Sequence, residues 1–143
     1  MKIIHPIRGQ DDHGAGYYGA SRGSRKHMGV DYACYTGSKV CATVSGKVTK
    51  LGKPYEDNPD TPNINELKAY DYVQITDIQG RDWRYFYVKP SVKVGQHVLS
   101  DSVIGTVQDL DKIYPDITNH YHLEIKKGSE YINPASVLGN NNQ

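Results

Sequence analysis

Asn119-His120-Tyr121-His122-Leu123-Glu124-Ile125 alternates polar and apolar side chains. Successive side chains on a β-strand leave opposite faces. The stretch therefore predicts His120, His122 and Glu124 on one side of a strand, and Tyr121, Leu123 and Ile125 on the other. The apolar side anchors the strand on a core, and two imidazoles stand together on the open side. A second stretch answers it far upstream: His27-Met28-Gly29-Val30-Asp31. At helical spacing His27 and Asp31 would share one helix face. Gly29, the β-branched Val30 and the aromatic Tyr32 favour a strand instead, on which positions 27, 29 and 31 face the same way. Gly29 then leaves room between the two polar side chains. Two histidines and one aspartate converging at a point would supply three ligands for a catalytic zinc, with a coordination position open for water. The other histidine of the 120/122 pair would be left for proton transfer.

The chain has 143 residues, enough for one domain with its own core. A single domain over 1–143 is expected, frayed at about 139–143. The formal net charge is +1, from 17 basic and 16 acidic residues, so no nucleic-acid surface is indicated. No run is long enough to span a membrane. After Met1-Lys2 only Ile3 and Ile4 precede His5-Pro6, which is no apolar targeting core. The expectation is a chain kept in the cytoplasm, released by lysis or carried on a particle. The 12 tyrosines, against 1 Trp and 1 Phe, provide apolar area with a polar tip, and most are expected to cover the sheet. Cys34 and Cys41 bracket the turn Thr36-Gly37-Ser38. Their spacing matches no usual zinc pair, and free buried thiols are expected.

Along the chain, residues 3–7 read as a short strand. Arg8 to Lys26 is a glycine-rich loop whose length suggests function, with Tyr17, Tyr18 and Arg22 as candidate substrate contacts. Val40 to Leu51 alternates around Gly46 and predicts a hairpin. Lys53 to Leu67, with Pro54, Pro59 and Pro62, reads as an excursion that walls a cleft. Tyr72–Thr76 is a strand, residues 78–82 a turn, and Trp83–Val88 the partner strand. Its alternation sets Trp83, Tyr85 and Tyr87 on one face, and Arg84, Phe86 and Val88 on the other. Short strands follow within 92–98 and 102–107, then a loop over 109–118, then the His120 strand. A turn of helix is expected after Asn133. Many short strands with turn signals give an all-β reading.

Taken in order, His27-x-x-x-Asp31, Gly37-Ser38-Lys39-Val40-x-Ala42-x-x-x-Gly46-x-Val48, Gly95-Gln96-x-Val98, Ile104-Gly105 and His120-x-His122 resemble the lysostaphin/LytM-type zinc endopeptidases, from about residue 3 to 137. Within that family the chain is similar to the leukocyte cell-derived chemotaxin-like branch, through His13-Gly14-x-Gly16-x-Tyr18-x-Ala20-x-Arg22, Lys53-Pro54-Tyr55, Phe86-Tyr87-x-Lys89-Pro90 and Ile113-Tyr114-Pro115. The resemblance implies an all-β domain with a groove across an antiparallel sheet. It implies one zinc ion held by His27, Asp31 and His122, with His120 as general base, and hydrolysis of peptide bonds in bacterial peptidoglycan. Glu124, on the same face, would either orient a ligand or be a solvated charge. One departure stands out: the peptidases carry a second catalytic His in a Tyr-x-His motif, where this chain reads Tyr85-Phe86-Tyr87. A phenol can donate a hydrogen bond to an oxyanion but is a poor proton shuttle. Two readings follow. One is a peptidoglycan endopeptidase of a lysis system or phage virion tail, partnered by other tail proteins. The other is a zinc-stabilised module that binds a peptide, glycan or protein without turnover.

Overall fold

The computed structural model describes residues 7–9, 16, 18–22, 25–26, 28–55, 60, 62 and 64–138. In chain order the strands are β1 (Ser21–Arg22), β2 (Arg25–Lys26), β3 (Val30–Ala33), β4 (Lys39–Cys41) and β5 (Gly46–Gly52). A helical turn, α1 (Ile64–Leu67), precedes β6 (Tyr72–Thr76), β7 (Asp82–Phe86), β8 (Val88–Pro90), β9 (His97–Val98), β10 (Val103–Val107), β11 (His120–Lys127) and β12 (Glu130–Ile132). The helix α2 (Pro134–Leu138) ends the described chain. A seven-stranded sheet runs β12-β11-β7-β6-β5-β9, with β3 pairing on β11. A three-stranded sheet has the order β4-β10-β8, and β1 and β2 form a separate ribbon. These pairings are antiparallel, and the architecture is the expected all-β one.

Period-2 alternation decides which side of the large sheet is dry. Val73 and Ile75 of β6, Trp83 and Tyr85 of β7, and Leu123 and Ile125 of β11 are at most 1% exposed. Val40, Val88, Ile104 and Val107, from the smaller sheet, join the same core. Tyr85 buries its phenol there because Thr43 satisfies it, through its amide at 3.0 Å and its hydroxyl at 2.6 Å. The turn from β6 to β7 is built by Asp77. One carboxylate oxygen accepts from the amides of Gln79 and Arg81, and the other from Arg81 Nε and the Trp83 indole. Gly80 supplies the left-handed conformation that this turn requires, at φ 79°. Cys34 and Cys41 are free, Cys41 buried and Cys34 half-buried.

Two expectations are corrected. Residues 40–51 do not form a hairpin: β4 pairs with β10 in one sheet, while β5 pairs with β6 and β9 in the other. Alternation alone does not say which strand is the partner, and a bend between residues 41 and 46 separates the two. The strand expected over 83–88 is also broken, at Tyr87, which adopts φ 67°. This conformation is strained for a residue with a bulky side chain and costs on the order of 1–3 kcal/mol. The corner is held by Asp71, whose carbonyl accepts the amides of Tyr87 (2.8 Å) and Val88 (3.3 Å). The left-handed step turns Tyr87 away from the side of Trp83 and Tyr85. Phe86 and Tyr87 thus lie together beside the histidines: Phe86 meets the His122 ring edge-on at 5.2 Å, and Tyr87 meets the His120 ring edge-on at 5.8 Å.

A second apolar cluster flanks that corner. Leu67, Tyr70 and Leu110 are its buried members, with Tyr55, Tyr87, Ile113, Tyr114 and Ile117 packed around them. The Lys53–Leu67 excursion and the 109–118 loop thus meet over Tyr87, and the expected cleft wall is built from both. Of the strand expected at 3–7, the described part is Ile7, bridged to Tyr32.

Candidate active site

Antiparallel register brings the expected residues together. His122 of β11 lies opposite Asp31 of β3 on one side and Phe86 of β7 on the other. His122 Nδ1 is 2.8 Å from Asp31 Oδ1, and its Nε2 is 3.0 Å from Glu124 Oε1. The ring is thereby clamped between two carboxylates. Burial works against its charged form, but the hydrogen bonds to Asp31 and Glu124 outweigh that and push its pKa up to about 9. Glu124 is itself steadied by Arg84 Nη1, 3.8 Å from its Oε2, and Arg84 Nε donates to Gln74 Oε1 at 2.9 Å. Glu124 therefore takes the orienting position of the two expected, as the acceptor that holds the ring's far nitrogen and leaves Nδ1 facing Asp31.

His120 is 4% exposed, and its Nδ1 lies 2.8 Å from the Thr118 carbonyl oxygen. A carbonyl can only accept, so Nδ1 carries the proton and Nε2 keeps its lone pair. Nε2 points into the site, 3.5 Å from Asp31 Oδ2. Burial lowers the pKa of His120, against the opposing pull of Asp31, and keeps the ring neutral at neutral pH. A neutral imidazole with its free nitrogen facing a carboxylate-lined site is equipped to take a proton.

Gly29 makes room for this arrangement. A Cβ there would lie 2.5 Å from the Leu123 carbonyl oxygen and 2.6 Å from His122 Cε1. The room expected at Gly29 is present, and what needs it is the His122 ring. Asp31 is secured from behind by Arg8, a residue that sequence reasoning did not single out. Arg8 Nε and Nη2 lie 3.1 and 3.0 Å from Asp31 Oδ2, and both residues are 3% exposed. Their backbones are joined as well. Arg8 N donates to Asp31 O, Asp31 N to Gly16 O, and Gly16 N to Arg8 O. A Cβ on Gly16 would collide with Arg8 Cβ at 2.6 Å, so a glycine is required there.

His27 and Tyr17 lie outside the described residues, as does the side chain of Arg22, whose backbone is in β1. Tyr18 is half-buried and packs against the main core. Among the described residues no group of three or more His, Cys, Asp or Glu is arranged to hold a metal ion. Two of the three expected ligands, Asp31 and His122, are nonetheless in direct contact. An imidazole nitrogen and a carboxylate oxygen, with the far imidazole nitrogen held by a second carboxylate, are the donor set that zinc takes. The described residues fit the ion as far as they go.

The meeting of the Tyr87 phenol with those of Tyr55 and Tyr114 was missed. Tyr55 Oη lies 2.9 Å from both Tyr87 Oη and Tyr114 Oη. Tyr55 and Tyr114 fell within pieces of the family resemblance, but nothing local in the sequence says that they meet.

Comparison with known proteins gives the family and the fold. The profile of Peptidase family M23 matches residues 25–134. Leukocyte cell-derived chemotaxin-2 of Bos taurus is 35% identical over 123 residues, covering 86% of this chain and 75% of that protein. The antimicrobial peptidase lysostaphin from Staphylococcus simulans superposes with a TM-score of 0.67 at 20% identity, over 96% of this chain and 52% of that one. The catalytic domain of the prophage-encoded M23 protein EnpA from Enterococcus faecalis gives 0.64 at 21% identity, over 92% of both chains. At these identities the two structures speak for the fold, and the chain spans about half of lysostaphin's length. The matched profile, which covers most of the chain together with the Asp31, His120 and His122 positions, shows that this chain belongs to peptidase family M23.

Proposed function

We propose that this chain is a zinc endopeptidase that cuts peptide bonds in bacterial peptidoglycan. The observation that carries the reading is His120, buried, with Nδ1 tied to Thr118 O and Nε2 turned toward Asp31. His27, Asp31 and His122 would hold the metal. Held there, zinc would supply Lewis acidity for water and for the scissile carbonyl. His120 Nε2 takes the proton of the attacking water and passes it to the leaving amine. Tyr87 donates its O–H toward the oxygen on which negative charge develops. Arg8 holds Asp31, and Glu124 holds His122. Membership of family M23 and the shared fold of lysostaphin support peptidoglycan as the substrate. The fold shared with the prophage-encoded EnpA domain supports a place in a phage lysis system or virion tail.

A second reading, a zinc-stabilised binding module, is favoured by Tyr87 in the second histidine's place and by likeness to a chemotaxin. Clearing of a cell-wall suspension by zinc-loaded protein separates the two. The peptidase reading expects clearing that falls about 10²–10⁴-fold in His120→Ala, with zinc content unchanged. No clearing by the wild type would favour the module, and full clearing by His120→Ala would remove the base assignment.

A further inference from the structure

The second apolar cluster contains more hydroxyl chemistry than packing requires. Tyr114, Tyr55 and Tyr87 form an unbroken chain of phenols, each link 2.9 Å long. The chain joins three separate parts of the fold: the excursion after β5, the loop before β11, and the left-handed corner after β7. Tyr70 packs edge-on against Tyr87 at 5.5 Å, and its own hydroxyl is committed to the Asp109 carbonyl at 2.6 Å. At the other end Tyr87 stands over His120 in a backbone conformation that a bulky residue rarely adopts. Backbone strain of that kind persists only where the surroundings impose it.

A chain of three hydroxyls has a polarity. Each phenol has one proton, so Tyr55 donates to one neighbour and accepts from the other. If Tyr114 donates to Tyr55 and Tyr55 to Tyr87, the proton of Tyr87 is free to point into the site. The reverse order spends that proton inside the wall. Only the first order lets Tyr87 act as a donor to the site. Burial of the Tyr87 phenol raises its pKa, so it stays neutral and keeps its proton.

We infer that Tyr55 and Tyr114 are positioning residues that orient Tyr87 as a hydrogen-bond donor to the tetrahedral oxyanion of peptide hydrolysis. This rests on the peptidase reading and assigns that site an oxyanion donor whose direction is set from two loops. No covalent change occurs in the chain: Tyr87 shares its proton with the oxyanion as charge develops and keeps it when the carbonyl re-forms.

The test compares wild type, Tyr55→Phe, Tyr114→Phe and Tyr87→Phe, all zinc-loaded. Each is measured for cell-wall hydrolysis, for affinity toward a peptide, and for affinity toward the matching phosphinate, which carries a tetrahedral anionic centre. Removal of a direct oxyanion donor costs about 10²–10³-fold in turnover, which is the expectation for Tyr87→Phe. Tyr55→Phe is expected to lose roughly tenfold in kcat and in the phosphinate-over-peptide preference, with KM and peptide affinity unchanged. Tyr114→Phe should do the same more weakly. A merely structural role would weaken both ligands alike, and that result would overturn the inference. Normal turnover and preference in Tyr55→Phe would overturn it too, while leaving the peptidase reading intact. A wild type that neither hydrolyses walls nor prefers the phosphinate would remove both. A wild type without turnover that prefers the phosphinate, and loses that preference in Tyr55→Phe, would uphold the donor chain and remove the hydrolytic reading.

Discussion

Replacing Glu124 separates its role as a metal-site support from that of a surface charge. Its carboxylate accepts from His122 Nε2 at 3.0 Å and is 7% exposed, so water does not readily substitute for it. Glu124→Ala leaves the His122 N–H without its acceptor and frees the ring to rotate or to move its proton to Nδ1, the nitrogen that faces Asp31. Loss of an outer support of a ligating histidine costs about 10–100-fold in metal affinity, or roughly 1.4–2.7 kcal/mol. Glu124→Gln should fall at the lower end, because its amide oxygen still accepts from Nε2 while the negative charge is gone. Arg84 keeps its bond to Gln74, so the neighbouring structure survives. The assay is zinc competition against a chromophoric chelator at neutral pH, with circular dichroism of the metal-free proteins as the control for folding. The ranking wild type, then Gln, then Ala is expected. A Glu124→Ala variant that folds normally and binds zinc within twofold of wild type would refute the argument.

Gly29→Ala should destabilise the protein by about 1–3 kcal/mol, because the new methyl meets the Leu123 carbonyl and the His122 ring at once; thermal unfolding measures this, and an unchanged Tm would contradict it. In the metal-free protein the raised pKa of His122 contributes stability that is complete below about pH 6.5 and is lost as pH rises through about 9. Its size is on the order of 3 kcal/mol, and denaturant midpoints between pH 6 and 10 should fall for wild type while staying flatter for His122→Gln. Arg8→Met leaves the buried Asp31 carboxylate without its guanidinium, a change that typically costs about 3–5 kcal/mol. Zinc should restore part of that loss by supplying positive charge, so equal destabilisation with and without metal would count against the role given to Arg8.

The sequence by itself determined the faces. Asn119–Ile125 and Tyr72–Thr76 alternate with a period that a strand must obey, so the side of the sheet carrying His120, His122 and Glu124 was legible without coordinates. So was the room left at Gly29, just before β3, although its occupant, the His122 ring, was not. Only the tertiary structure decided who meets whom. Alternation names no partner, which is why β4 went to β10 and not to β5. It also runs through a single left-handed residue without registering it, and one φ angle at Tyr87 moved that phenol from the core side to the side of the histidines. Arg8 reaches Asp31 across 23 positions, and Tyr55 reaches Tyr114 across 59. Such contacts close only when the whole sheet has formed. The same holds for protonation: burial keeps His120 neutral, while the hydrogen bonds to Asp31 and Glu124 make His122 basic, although the two histidines stand two residues apart on one strand.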